Sequence, residues 1–239
     1  CSSDLPKDKY VHYRESLRFI GRSSAMAKKL YINEEPVFVD KRQNFSHSTR
    51  LKPGKNLVKL AVETLNGDVL TYTARVLRLV SFPDMNEKVK GRREIEFLAT
   101  LGAMFGDKDK NFYPTRLVTR QYIAKLIIEI TKVKMDNIPD DVFPDVSKDH
   151  PYASYIQAAV INGLIFPSPD GTFQPEQPLT LSEAVFLLSN AGIIQFQEVE
   201  ESSDYITRSE LAQFLAYTPK YERSIARLIN WKSGYKRLY

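Results

Sequence analysis

Apolar and polar residues alternate along this chain in two rhythms. Residues 57–62 and 70–79 broadly alternate apolar and polar residues, the pattern of a strand with one buried face. Shorter runs of the same character lie at 16–20, 29–32 and 37–39. Pro53-Gly54 and Asn66-Gly67 supply the backbone freedom that tight turns need. Strand runs spaced by about 8 to 12 residues, with no helical period between them, predict a small antiparallel β-sandwich over residues 14–81. A polar tether at 1–13 precedes it. After Val80-Ser81 the rhythm becomes helical, as in Ile95, Leu98 and Ala99.

The helical part repeats itself. Residues 82–130 align with 143–191 at a constant offset of 61, without a gap. Identities include Phe82/Phe143, Pro83/Pro144, Asp84/Asp145, Gly102/Gly163, Phe112/Phe173, Pro114/Pro175 and Thr119/Thr180. Each unit reads as a Phe-Pro-Asp loop, a helix ending at a Gly, a turn and a second helix. The second helix of the second unit opens with Thr180-Leu181-Ser182-Glu183, a capping box in which Thr and Glu satisfy each other's backbone donors. The box recurs at Thr207-Arg208-Ser209-Glu210, marking a degenerate third unit over 193–217 without the Phe-Pro-Asp head. In the first unit Tyr122 stands at the Glu position. Apolar residues at 221, 225, 228 and 229 predict a closing helix over 220–231 that packs on the third unit in place of its missing head.

Composition narrows the picture only in places. A length of 239 residues suits one large domain or two ordinary ones, and 43% apolar with 26% charged residues is normal for a globular chain. The one cysteine is residue 1, which rules out an intramolecular disulfide and a Cys-based zinc site. A net charge of +5 is a modest bias toward anionic polymers. Asp107, Asp109 and Asn111 open like a calcium loop, but Phe112 and Val118 stand where an EF-hand needs Gly and Glu. His12, His47 and His150 fall in separate segments with no ligand spacing, and no nucleophile elbow, phosphate loop or dinucleotide fingerprint occurs. The sequence therefore predicts no enzyme, no cofactor and no metal. The basic stretches 88–93 and 232–239 read as solvated faces or contacts to acidic wall polymers, not nucleic-acid patches.

Three resemblances add expectations. The order Leu30-Tyr31-Ile32-Asn33, Val37-Phe38-Val39-Asp40, Phe45, Leu51 to Asn56 and Asn66-Gly67-Asp68 resembles bacterial immunoglobulin-like (Ig-like) modules of secreted and cell-surface proteins, which serve as spacers or docking surfaces. Phe143-Pro144-Asp145-Val146, Gly163-Leu164-Ile165, Asp170-Gly171-Thr172-Phe173-Gln174-Pro175 and Leu179 to Ala184 resemble an S-layer homology (SLH) repeat. A start at Cys1-Ser2-Ser3-Asp4 resembles a mature bacterial lipoprotein, in which Cys1 carries the lipid. The fold these imply is an α+β two-domain chain, an Ig-like antiparallel β-sandwich followed by an all-α SLH-type pseudo-threefold repeat domain over 82–239.

In that family the grooves between repeats hold cell-wall glycans, and a Thr-Arg-x-Glu motif places an Arg in the first turn of a helix. An Arg grips a carboxylate with two parallel hydrogen bonds, which Lys does not. Here the motif is kept as Arg120 and Arg208, while Leu181 replaces it in the second repeat. The helix N-terminus is expected to add free N–H groups for the anion. Asp84 and Asp145 match the family's loop Asp, which bonds either sugar or backbone, and Gly102 and Gly163 match glycines near the groove that a helix end also explains. The resulting expectation is a non-enzymatic envelope tether. Its lipid at Cys1 sits in a membrane, and its repeats bind peptidoglycan or a secondary cell-wall polymer. An outer-membrane lipoprotein facing the periplasm is the expected place, the cell surface its alternative. The rival expectation is a structural subunit of a larger periplasmic or surface assembly, in which the repeats contact other envelope proteins.

Overall fold

The computed structural model describes residues 2–3, 6–135, 143–196, 198–199 and 203–237. It divides into two compact units, Cys1–Ser81 with Ser224–Tyr239, and Phe82–Arg223. Among the described residues no helix is long and apolar enough to cross a membrane.

The first unit is built from two sheets. Strands β1 (Ser2–Ser3), β3 (Ser16–Arg22) and β6 (Asn44–Arg50) form one. The other runs β2 (Tyr10–His12), β8 (Val69–Arg78), β7 (Gly54–Thr64), β4 (Ala27–Ile32), β5 (Glu35–Val37), and β9 (Lys236–Arg237) also pairs with β7. Alternation does what it predicts. In β3 Leu17 and Phe19 point inward and are buried, while Ser16, Arg18, Ile20 and Arg22 are exposed. Leu17, Phe19 and Phe45 from one sheet meet Leu30, Ile32, Val58, Leu60, Val62 and Val76 from the other in one core. Burying one such side chain stabilises by roughly 1.5–3 kcal/mol.

Two features correct the expected fold class of a purely antiparallel sandwich followed by an all-α domain. β2 pairs with β8 in parallel, Tyr10 opposite Val76, and β9 pairs with β7 in parallel, Asn56 opposite Lys236. The chain also returns from the helical unit, so that residues from Ser224 onward belong with the sheets. The physical reason is that local periodicity reports hairpins, whereas a two-residue strand arriving from the far end of the chain leaves no period to read. α6 (Pro219–Ile229) forms near the expected place. Its first turn lies in the helical unit, where Lys220 Nζ donates to Ile193 O at 2.9 Å, while its Leu228 is buried within the β unit, with Cδ1 3.7 Å from where a Cβ on Gly54 would stand.

The second unit carries α1 (Arg92–Thr100), α2 (Arg120–Thr131), α3 (Ala153–Ile161), α4 (Leu181–Asn190) and α5 (Arg208–Ala216). The offset of 61 in sequence is also an offset in space. Phe82 packs on Phe112 with ring centroids 5.2 Å apart, and Phe143 packs on Phe173 at 5.7 Å. Phe112 and Phe173 are both fully buried. The residues preceding Thr119, Thr180 and Thr207 close a ring of backbone bonds. Val118 N donates to Ile206 O (2.8 Å), Ile206 N to Leu179 O (3.0 Å) and Leu179 N to Val118 O (2.9 Å). Short β-bridges therefore hold the centre of this unit, which is a further departure from an all-α domain.

Candidate functional site

The Phe-Pro-Asp loops come first. Asp84 accepts Phe112 N (2.9 Å) and Tyr113 N (2.6 Å), one on each carboxylate oxygen. Asp145 repeats this with Phe173 N (2.9 Å) and Gln174 N (2.6 Å). Both carboxylates close their own repeat, since an Asp readily takes backbone donors in a turn. Gly102 and Gly163 end α1 and α3 at φ +72° and +67°, and a Cβ at either would meet nothing within 4 Å. Their requirement is conformational: a left-handed residue ends the helix.

The closed loops present their carbonyls to the arginines. Arg120, the first residue of α2, donates from Nε to Phe173 O (2.8 Å) and from a terminal nitrogen to Phe166 O (2.9 Å), and its guanidinium lies 4.8 Å from the Phe173 ring centre. Arg208, the first residue of α5, donates to Phe112 O (3.0 Å), the equivalent carbonyl of the first repeat. The helix N-termini are bound in the same way. Arg120 N and Gln121 N donate to Gln177 O and Pro175 O, while Arg208 N and Ser209 N donate to Arg116 O and Pro114 O. The expected free N–H groups for an anion are thus taken by backbone of the neighbouring repeat. Sequence could not show this, because the acceptors lie about 55 or 95 residues away and only the repeat offset links them.

The two arginines then part. Arg208 is 2% exposed, sits 4.0 Å from the Tyr122 ring centre and is paired with Asp107 at 3.1 Å. Asp107 also pairs with Arg116 at 2.6 Å. The residue that looked like the start of a broken calcium loop is the counter-ion of a buried arginine. Asp109 likewise accepts Asn111 N (3.0 Å) and the Tyr113 hydroxyl. Arg120 has no ion pair within 4 Å among the described residues, and burial holds its guanidinium below the usual value. It lines an open cleft of about 360 Å³ with Phe166, Gln177, Leu179, Ser182, Glu183, Phe186 and Leu187. Phe166 and Phe186 are 58% and 56% exposed. Glu183 is held by the capping box, Oε2 accepting Thr180 N at 2.8 Å. A second cleft, about 400 Å³, lies beside Arg208 and is lined by Asp107, Lys108, Tyr113, Arg116, Lys125, Tyr152 and Tyr155, with Asp109 and Pro151. The guanidinium that would mark it is already neutralised.

Arg120, Arg208, Asp84 and Asp145 all lie where one segment of the repeat unit meets another, and the sequence reading did not single out the aromatic walls. Phe186 stands where Lys125 stands in the first repeat and Phe166 where Phe105 stands, so the alignment contained the signal. Two exposed phenylalanines on one cleft are the unusual feature. Cys1 lies outside the described residues.

Comparison with known proteins follows this geometry. The S-layer homology domain model matches residues 81–121 and 142–185. No curated protein sequence matches the chain. Among solved structures, the fibronectin(III)-like modules of Clostridium thermocellum CbhA are similar at 11% identity over 32% of this chain and 92% of theirs, with a TM-score of 0.25. A polysaccharide lyase is similar at 11% identity over 95% of this chain and 38% of its own, also with a TM-score of 0.25. Neither likeness defines a fold or an activity for this chain. S-layer homology domains are binding modules that attach to cell-wall polymers or mediate surface anchoring. Residues 81–121 and 142–185 are thus similar to S-layer homology domains.

Proposed function

We propose that this protein is a non-enzymatic envelope tether whose Arg120 cleft grips a carboxylate-bearing glycan of the cell wall, either peptidoglycan or a polymer linked to it. The observation that carries the reading is a half-buried guanidinium without an ion-pair partner among the described residues, flanked by two exposed aromatic rings in one cleft. A bound carboxylate would offset the burial of that charge through paired hydrogen bonds, and the rings would cover the apolar face of a sugar. Cys1 bears a lipid in this reading, the sandwich is the spacer, and the protein is an outer-membrane lipoprotein facing the periplasm. Asp84, Asp145, Gly102 and Gly163 shape the loops that present the cleft, and Arg208 supports its neighbour without touching glycan.

Sedimentation with purified peptidoglycan sacculi tests this. Arg120→Ala should weaken binding about tenfold or more, the worth of charged hydrogen bonds, and Arg120→Lys should recover little of it because the fork is lost. Undiminished sedimentation of Arg120→Ala would overturn the reading. The internal Arg208–Asp107 pair favours one rival, a structural subunit of an envelope assembly that uses the repeats for protein contacts. Stoichiometric co-purification of another envelope protein, lost on Phe166→Ser with Phe186→Ser, together with absence of sacculus binding, would select it.

A further inference from the structure

We propose that the outward face of the β1-β3-β6 sheet is a docking surface for an anionic phospholipid bilayer. Strand alternation puts Ser16, Arg18, Ile20 and Arg22 of β3 on that face, and Asn44, Ser46, Ser48 and Arg50 of β6 beside them. The register pairs Ser16 with Arg50, Arg18 with Ser48, Ile20 with Ser46 and Arg22 with Asn44. All eight are exposed, and none is acidic. The stretch from Ser16 to Arg22 covers about 20 Å at a strand's rise per residue. Three guanidiniums thus stand over one pleated surface, among hydroxyls and around Ile20, which is 49% exposed.

The charges are lightly committed. Arg18 Nε donates to Ser46 Oγ at 3.3 Å, and Arg22 Nε donates to Arg42 O at 3.1 Å. Acids touch only the margins: Glu15 lies 3.9 Å from Arg50, and Asp40 is engaged by Arg42 N, Asn44 N and Asn44 Nδ2. Lys41 and Arg42 extend the basic rim next to Arg22. Fork-like guanidiniums on a broad surface fit a plane of phosphodiester groups, which attract basic residues without a pocket.

The occupant is fixed by where the chain runs. Ser2 pairs with Arg22 and Ser3 with Gly21, so the backbone leading to Cys1 belongs to this sheet. A lipid at Cys1 would bring headgroups to this arginine face. That argument rests on the proposed lipid at Cys1, but the charge pattern does not. Lipid and face would act as two signals, as stable anchoring by short chains requires.

The test uses the full, unacylated chain with vesicles of phosphatidylcholine containing phosphatidylglycerol, and with phosphatidylcholine alone. Wild type should sediment with the anionic vesicles, be released by salt, and ignore the neutral ones. Arg18→Ser, Arg22→Ser and Arg50→Ser together should weaken binding by roughly a hundredfold, about fivefold each. Ser48→Glu, which keeps every arginine, should also weaken it and guards against a triple variant that does not fold. Equal binding to neutral vesicles, or undiminished binding by both variants, overturns the proposal. So does a triple variant that loses sacculi while wild type ignores anionic vesicles, which would assign the face to an acidic wall polymer. Arg120→Ala should keep vesicle binding while losing sacculi, so failure of the cleft and failure of this face are separable. The Cys1 lipid plays no part in this assay.

Discussion

Arg120 and Arg208 occupy the same step of the repeat, one residue into a helix that follows a threonine, yet their surroundings give them different work. Each donates to the carbonyl of a repeated phenylalanine, Phe173 or Phe112. The difference lies in the turn beyond. The first repeat offers Asp107 to Arg208, whereas Ser168 stands at the same step opposite Arg120. Removing one partner of a buried pair costs about 3–5 kcal/mol, and Arg116 still faces Asp107, so the lower end applies. Arg208→Ala should therefore lower the melting midpoint of the helical unit by roughly 6–12 °C, as circular dichroism at 222 nm would report. Arg120→Ala should move that midpoint far less while weakening wall binding about tenfold or more. The opposite ranking would mean that the buried arginine is the functional one. Gly163→Ala should cost about 1 kcal/mol in thermal unfolding, the strain of a left-handed alanine with open space around it.

The helices at the element scale differ in how they begin. α4 and α5 have complete capping boxes, with Thr180 and Thr207 each accepting the N–H of a Glu three residues on. α2 follows Thr119 without any side-chain cap, and Gln177 and Pro175 carbonyls take its first N–H groups instead. Thr180→Ala and Thr207→Ala should each cost about 1 kcal/mol in thermal unfolding, and Thr119→Ala much less. The box in α5 also carries a pH signature. Hydrogen bonds from Thr207, backbone first and side chain second, hold the Glu210 carboxyl below its ordinary value of 4.5. A depressed carboxylate contributes stability that is present above about pH 4.5 and is lost as pH falls through its lower folded value. Glu210→Gln should flatten that part of the acid unfolding curve; an unchanged curve would remove Glu210 from the account. Both boxes were legible in four consecutive residues, because capping is local. The broken box at Tyr122 was legible too, but not its replacement by loop carbonyls of the next repeat. Likewise the Asp84 and Asp145 loops could be aligned by eye, while the Asp107–Arg208 pair spans 101 residues and only packing reveals it.

The return of the C-terminus to the β unit sets the organisation of the whole molecule. Lys55, the second residue of β7, donates to Asn230 O (2.5 Å) and Ser233 O (2.6 Å), and Arg75 of β8 donates to Trp231 O. Trp231 and Tyr235 stack at 5.8 Å, with the Lys55 ammonium 5.1 Å from the Tyr235 ring. Burial pushes the Tyr235 hydroxyl up to about 12, which marks it as desolvated. Asn56 and Leu57 of β7 then gain β9 as a parallel neighbour. Residues more than 150 positions from β8 are thus hydrogen-bonded parts of the sandwich. Deleting residues 230–239 should remove at least three hydrogen bonds at roughly 1 kcal/mol each, uncover the Leu57 edge of β7 and lower the stability of the β unit by about 3 kcal/mol. Amide exchange resolves the outcome by unit. Protection at Lys55, Asn56, Leu57 and along β8 should drop, while amides of α2 and α4, whose cores are Ile123, Leu126, Val185 and Leu188, keep theirs. Equal loss in both units would mean that they unfold as one body. Unchanged protection in β7 would mean that the C-terminal strand is an ornament on a sandwich already complete without it.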